Sequence, residues 1–510
     1  MTSDVVIVGS GFGGLATAIA AAEFGLRTTV VERSALVGGS TSYSYGGVWV
    51  AKDSRAAAMR YMEYVGGTQT DPKRVAAYID NAPSALEFYQ HAGIRLEPTP
   101  ALPDHFYGLA EGAVAEGRHF DVAPFRGRTL GSWRGSLETP PGDVWRIPLG
   151  RHFGNAPAEE RARARAGDEI CQGPGLIAYA LHGAVQRNVE IVLKAAADSL
   201  IVRKGRVVGV RTVDGREFSG TRGVVIASGG FESDSVLSEM AENLPLRSVH
   251  ALGIAGDGLR MAAEAGASLR FVHNNLAVLL GYDEPALPGG PGVRVIANKE
   301  LVAPHGIVVN RAGVRFGNES SFQQLAGALR DFDGGAREMR NLPCWLVFDQ
   351  QFVERSGFGL DGPGTVPDWV VRAPTLAALA ATLGIDAENL NATVERFNAF
   401  AARGVDEDFA RGDRGFALAK LTGVGPNPGL GALERAPYYA VPLITTAMGS
   451  SGLAADRMAR VLDWWDAPIP GLFAVGNAAA HDEYGTGYQA GQSLGSAMTF
   501  AYLAAEALAA

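Results

Sequence analysis

The sequence predicts an α/β fold: a Rossmann-like domain, of the kind with two dinucleotide folds, carrying an inserted α+β domain. Three observations predict it. The chain opens on a strand, a glycine-rich turn, a helix and a second strand that ends in an acid. Two later stretches, Arg222 to Phe231 and Ile469 to Asn477, are buried-strand patterns that run into small residues. Between them, from about 270 to 435, the pattern changes to short strands and separate helices.

The opening stretch reads Asp4-Val-Val-Ile-Val-Gly-Ser-Gly-Phe-Gly-Gly-Leu-Ala16. Val5 to Val8 are β-branched and apolar, as a buried parallel strand requires. Gly9 makes the tight turn, Gly11 lets the backbone approach a pyrophosphate, and Gly14 lets the helix pack on the strand. The helix N-terminus then faces the phosphates with free N–H groups and its positive dipole end. The second strand, Thr28 to Val31, ends in Glu32, which would accept hydrogen bonds from a ribose. Phe12 and Gly13 inside the turn, and Arg33 after the acid, complete this part of the candidate cofactor site.

Gly38, Gly39, Ser40 and Thr41 form a second small-residue turn. In a flavoprotein such a turn passes the pyrophosphate and ribityl chain, and its hydroxyls can bond phosphate oxygens. Gly46 and Gly47 would let the backbone lie against a flavin ring. Residues 55 to 94 read as helices, with Tyr61, Met62, Tyr64, Ala85, Leu86, Phe88 and Tyr89 at helical spacing. Residues 95 to 170 read as irregular. They hold Pro103-Asp-His-Phe-Tyr107 and the arginines 118, 126 and 128, and a long stretch without periodicity is usually functional or mobile.

Cys171 to Asn188 reads as a helix, Glu190 to Lys194 and Ser199 to Arg203 as strands, and Gly205 to Arg211 as the continuation of a hairpin. Ala196, between those strands, is a cofactor candidate. In flavoproteins with two dinucleotide folds the strand from Arg222 returns beside the first one, and Ala227, Ser228, Gly229 and Gly230 pack near the cofactor. Gly256 to Gly266 reads as a turn into an N-capped helix. In the insert, Gly306 to Asn310 and Trp345 to Phe348 read as strands, 288 to 292 as a Gly/Pro-rich loop, and 374 to 402 as helices. Pro437 to Leu443 is expected to lead back to the first domain. The expected domains are therefore 1–270 and 436–510 for the cofactor, with 271–435 for the substrate. Gly476 and Asn477 end the final strand. Gly491 starts the last helix, whose N-terminus, with Ser493 and Leu494, can face the flavin edge where negative charge builds up on reduction.

Composition bounds the function. A chain of 510 residues exceeds one compact core. Hydrophobic content of 47% and charge of 19% describe an ordinary globular protein. A formal charge of −9 without a basic stripe argues against a nucleic-acid partner. The two cysteines, Cys171 and Cys344, lack metal or redox spacing and read as buried thiols. The N-terminus enters a strand at once, so no signal peptide is expected. No stretch approaches the ~20 apolar residues of a membrane span, and a reducing cytoplasm is the expected compartment.

The GSGFGG and GGSTS turns, the ASGGF strand end and the GLFAVGN ending resemble the fumarate reductase/succinate dehydrogenase flavoprotein superfamily. Val309 to Ser320, Pro343 to Gln350 and Thr393 to Phe409, with Pro437-Tyr-Tyr-Ala and Ser496 to Phe500, resemble its 3-ketosteroid Δ1-dehydrogenase branch. The resemblance runs over nearly the whole chain. It implies FAD, held non-covalently because no histidine lies in 38 to 47. It implies a small hydrophobic cyclic ketone as substrate, which loses a proton α to the carbonyl and a hydride from the β carbon. Flavin N5 takes the hydride, a tyrosine takes the proton, and another tyrosine hydroxyl with a glycine N–H polarises the carbonyl. An unactivated α C–H is a very weak acid, so the carbonyl must sit in an oxyanion-type site. A phenol of pKa about 10 costs about 4 kcal/mol to keep ionised at neutral pH unless its neighbours help.

By that resemblance Tyr107 stands in an aromatic turn that supports the base. The base itself is missing from its expected place: Asn318-Glu-Ser-Ser-Phe-Gln323 contains no tyrosine. Gly491 fits the carbonyl-binding glycine. Tyr484 and Tyr488 compete for the tyrosine beside it, Tyr488 being closer in register, and either could supply the missing base. The fumarate reductase branch would need an arginine where Ser321, Phe322 and Gln323 stand, and His and Arg where Tyr488 and Gln489 stand. Three readings remain at this point. The first is a ketone desaturase acting on a 3-ketosteroid or a smaller oxo-cyclohexane ring, its electrons passing to a quinone or an electron-transfer protein. The others are an enone or fumarate-type reductase running in reverse, and an FAD-binding protein without turnover.

Overall fold

The computed structural model describes residues 2–99, 102–149, 157–248, 254–285, 294–359, 362–412, 426–447 and 449–510. The loop expected at 288–292 lies outside them. The main sheet has the order Arg460–Leu462, Pro468–Ala474, Glu217–Ile226, Thr2–Val8, Thr28–Val31, Glu190–Val192. The four neighbouring pairs from Pro468–Ala474 to Glu190–Val192 are parallel. Val8 stands level with Ile226 on one side and Val31 on the other. The strand from Arg222 thus returns beside the first one, as expected. The hairpin Ala197–Arg203/Arg206–Thr212 joins the sheet through Glu217–Ile226.

Helices cover this sheet because their residues are small. Phe12–Glu23 is mostly Ala and Gly, and packs closely on the last helix, Gln492–Ala509, in one core with Gln172–Gln186 and Pro72–His91. Between Leu96 and Ile170 the described chain is largely irregular, with short strands such as His119–Val122. It also contains a helix, Ala158–Ala166, that the sequence reading missed. That segment, AEERARARA, has no apolar stripe, and its support comes from Glu159 and Glu160 in its first turn and Arg163 and Arg165 in its last.

The second sheet is antiparallel, in the order Arg294–Ile296, Val278–Asp283, Tyr438–Ala447, Cys344–Asp349, Gly306–Asn310. Here one expectation is corrected. Pro437 to Leu443 is not a connection back to the main sheet, because Tyr438–Ala447 pairs with three strands of the second sheet. Tyr439, Val441 and Leu443 face one core with Phe348 and Phe352, while Ala440 faces another with Leu379, Leu390 and Phe397. Burial on both faces hides the alternation by which a strand is recognised. Two helices, Leu376–Leu383 and Ala387–Arg403, cover the second face. The Gly256–Gly266 stretch forms a helix from Asp257 to Glu264, but its cap is Gly256 in the left-handed region, without a side-chain cap.

Candidate active site

The turns that leave the carboxyl ends of the parallel strands meet, Gly9 against Ala227 and Gly13 against Val475, at the end where open α/β sheets bind their ligands. Gly9 leaves its strand with φ +105°, and a Cβ there would lie 2.5 Å from the Ala227 carbonyl oxygen. A Cβ on Gly14 would lie 2.0 Å from the Gly9 oxygen. Gly13 packs similarly against Val475. Gly11 is different. The nearest heavy atom to its missing Cβ is the Gly38 oxygen at 3.8 Å, and around Gly39 there is none within 4 Å. These two glycines leave a cradle before the N-terminus of Phe12–Glu23, which has neither a side-chain cap at Gly11 nor an acid in its first turn. A pyrophosphate fits that cradle in size and sign.

Glu32 is buried and ties the turn together. One carboxylate oxygen accepts the Ser10 N–H at 2.9 Å and the Ser10 hydroxyl at 2.7 Å, and the other accepts the Ser34 N–H at 2.8 Å. The Thr41 hydroxyl accepts the Phe12 N–H at 3.2 Å, so the second turn is folded onto the first. Ser40 lies beside it in the short 3-10 turn Gly39–Tyr43. Arg33 pairs with Asp257. The Ala196 carbonyl accepts the Val213 N–H at 2.9 Å, and Ala195 donates to the Glu32 carbonyl at 2.8 Å. Ala227 donates to the Val8 carbonyl at 2.8 Å. Beside it the buried Ser228 hydroxyl has no partner among the described residues, and Gly229 turns with positive φ. Gly46 is constrained from within the chain. A Cβ there would lie 2.3 Å from the Gln172 carbonyl carbon, so this glycine is required by the start of the helix Gln172–Gln186. Gly47 lies near the Phe120 oxygen.

At the far end of the cleft, Gly476 turns the chain out of its strand. Asn477 Oδ1 sits 3.0 Å from His481 Nε2, and His481 Nδ1 sits 2.9 Å from Glu483. Burial opposes ionisation of Glu483, but Arg74 and His481 outweigh it and hold the carboxyl down at about 2. Gly491, φ +81°, caps the last helix, which has no side-chain cap and no acid in its first turn. Its carbonyl accepts the Trp49 N–H, and no acceptor for its own N–H appears among the described residues. Ser493 bonds the Tyr484 hydroxyl at 3.2 Å, and Leu494 packs on the main core.

The two tyrosines of this loop differ. Tyr484 is fully buried, stacked on His481 at 4.7 Å. Tyr488 meets the His105 ring edge-on at 5.4 Å, and burial pushes its phenol pKa up. Sequence reasoning noted the stretch holding His105 but chose Tyr107, which is 44% exposed on the rim. What places His105 is a network of distant partners. Gln489 accepts its backbone N–H at 2.9 Å and also the Tyr61 hydroxyl. Asp104, next to it, takes the Trp49 indole N–H at 2.7 Å, the Val114 N–H at 3.0 Å and Arg118 at 2.8 Å. Arg118 pairs with Asp53 as well. It is thus a fastening of this loop, and Arg126 and Arg128 are exposed. The segment before the second sheet is tied to the same loop: Leu276 donates to the Thr486 carbonyl at 2.7 Å, and Gln69 exchanges hydrogen bonds with the His273 backbone.

The Asn318-Glu-Ser segment has a structural task. Burial opposes ionisation of Glu319, yet Arg315 and Arg411 hold its carboxyl at about 2. Gln323 is buried nearby, with its Nε2 unpartnered among the described residues. No cluster of potential metal ligands occurs among the described residues.

A dinucleotide cradle with an uncapped helix facing it defines an α/β protein of the dinucleotide-binding class. The family described as FAD binding domain matches residues 4–497. The chain is 36% identical to the 4-oxocyclohexanecarboxylate 2-dehydrogenase of Sinomonas cyclohexanicum, over 100% of this chain and 93% of that protein. It is 33% identical to a 3-oxosteroid 1-dehydrogenase of Mycobacterium tuberculosis, over 98% of this chain and 97% of that one. The crystal structure of 3-ketosteroid Δ1-dehydrogenase from Sterolibacterium denitrificans, in complex with 1,4-androstadiene-3,17-dione, superposes with a TM-score of 0.89 at 29% identity, covering 100% of this chain and 99% of that one. The chain belongs to this FAD-binding family of oxo-ring dehydrogenases, and is an FAD-dependent oxidoreductase.

Proposed function

We propose that this enzyme introduces a double bond beside the carbonyl of a cyclic ketone, a 3-ketosteroid or a smaller oxo-cyclohexane ring. The observation that supports the reading is the edge-on contact of Tyr488 with His105 at 5.4 Å, three residues before the Gly491 cap of the last helix. FAD, when bound, supplies the hydride acceptor. Gly9, Gly11, Gly39, Thr41 and Ser228 would hold its phosphate end, and the N-termini of the first and last helices would face its negative charge.

The chain's own residues divide the proton chemistry. With its pKa pushed up by burial, the Tyr488 phenol keeps its proton at neutral pH and serves as a donor. Paired with the Gly491 N–H it holds the ketone oxygen as enolate charge develops there. The α C–H bond breaks, its electron pair enters the enolate, and its proton passes to the His105 imidazole. An imidazole accepts a proton near neutrality without the ionisation cost of a phenol. FAD, when bound, would accept the β hydrogen as hydride, which would leave the enone. Tyr484, anchored to Ser493 and stacked on His481, supports the loop. Tyr107 lines the mouth.

The electron acceptor is proposed as a quinone or an electron-transfer protein. A reducing compartment, the cytoplasm, is proposed from the two unpaired, buried cysteines. No helix among the described residues is long and apolar enough to cross a membrane.

The test is product analysis. FAD-loaded enzyme is incubated with 4-oxocyclohexanecarboxylate or a saturated 3-ketosteroid and an artificial electron acceptor. Loss of one hydrogen pair with appearance of enone absorbance supports the proposal. Unchanged ketones, with the flavin shown to be bound, overturn it.

A further inference from the structure

Two tryptophans stand in water at the edge of the main sheet. Trp464 is 66% exposed and Trp465 83%. They sit in the turn between the edge strand Arg460–Leu462 and Pro468–Ala474. The turn does not need their rings. Asp463 closes it by accepting the N–H groups of Trp465 at 2.8 Å and Ala467 at 3.0 Å. Large apolar rings held out by a closed turn mark a contact surface.

A second turn, Arg203-Lys-Gly-Arg206, ends the neighbouring hairpin with its three basic side chains exposed, next to Val202, itself 49% exposed. The Arg206 guanidinium donates to the Arg222 carbonyl, and Arg222 is exposed too. The stem of Arg206 packs at Gly471, in the strand that leaves the tryptophan turn. Both turns therefore lie toward the amino ends of the parallel strands, away from the cofactor cleft at their carboxyl ends. Of the nearby acids, Asp463 closes its turn, and Asp466, exposed, lies 3.9 Å from Arg270.

We infer that this edge docks on an anionic lipid bilayer, the indoles seated at headgroup level and the basic turn against the lipid phosphates. Indole, with an apolar body and one N–H donor, settles at membrane–water interfaces. A protein of formal charge −9 is repelled as a whole by an anionic surface, so contact needs a local basic cluster, and Arg203, Lys204, Arg206 and Arg222 form one. Docking here leaves the cleft open, and does not depend on which ketone the enzyme uses.

The test is co-sedimentation of the FAD-loaded enzyme with large vesicles of phosphatidylglycerol and phosphatidylcholine, or of phosphatidylcholine alone. Wild type should sediment with the anionic vesicles, with a blue shift of tryptophan emission, and should be released by high salt. Trp464→Ala with Trp465→Ala, and separately Arg203→Glu with Lys204→Glu, should each weaken partitioning about tenfold or more while flavin content and turnover stay unchanged. Wild type remaining in the supernatant overturns the inference. So does undiminished binding of both double variants, or a dimer that the tryptophan variant converts to monomer, which would assign the edge to a second copy of the chain.

Discussion

The Gly491 carbonyl accepts the Trp49 N–H at 2.9 Å, clamping the cap of the last helix onto the short strand Val48–Trp49. The clamp leaves no room for a side chain. A Cβ on Gly491 would lie 2.9 Å from both the Trp49 nitrogen and the Val48 carbonyl carbon, and φ is already +81°. Gly491→Ala therefore carries left-handed strain of about 1 kcal/mol and a backbone clash. We expect at least about a tenfold slower flavin reduction by substrate and a lower melting temperature. An unchanged rate would place the ketone oxygen elsewhere.

Tyr488 and Tyr484 separate cleanly by removal of one oxygen. Tyr488→Phe keeps the ring against His105 and loses the donor, so flavin reduction should slow by about 100-fold while FAD remains bound. Tyr484→Phe loses only the bond to Ser493. It should cost about 1 kcal/mol of stability and leave the rate within about threefold. Stopped-flow traces of the two variants decide it, and the reverse order would exchange their roles.

His105→Ala should lower the reduction rate by about 100-fold or more. It should also abolish the acid limb of the pH–rate profile, because an imidazole takes up protons as the pH falls and ceases to be a base. The acid limb persisting in His105→Ala would assign the proton to another group.

Glu232 is buried between Gly230 and Gly449, with one carboxylate oxygen unpartnered among the described residues. Burial pushes its carboxyl from 4.5 up to about 7. Across that interval the unfolded chain has released the proton and the folded chain has not, so stability falls as pH rises from 4.5 to about 7 and is level above. Glu232→Gln should remove this slope and make the protein roughly 1–3 kcal/mol more stable above neutrality. Urea titrations at acid and alkaline pH measure it, and an equal slope in the variant would contradict the assignment.

The opening strand–turn–helix unit was legible because its constraints are local. Gly9, Gly14 and Glu32 lie within one βαβ unit, and their spacing alone states the turn, the close packing and the acid. The catalytic half was not. Asp104 meets Trp49 across 55 positions, and Gln489 meets His105 across 384, so no spacing could show that His105 is held beside Tyr488. Tyr438–Ala447 was misplaced because burial on both faces erases the period of a strand. Gly46 looked like a flavin neighbour, yet the constraint on it comes from Gln172, distant in sequence.

The most direct measurement is anaerobic mixing of the purified yellow enzyme with a panel of saturated cyclic ketones, followed at the flavin absorbance. Desaturation predicts rapid bleaching by one of them, 4-oxocyclohexanecarboxylate or a 3-ketosteroid, and the responding ring names the substrate class. If no ketone bleaches the flavin, while chemically reduced enzyme is reoxidised by an enone or by fumarate, the enzyme is a reductase and the proposed direction is contradicted.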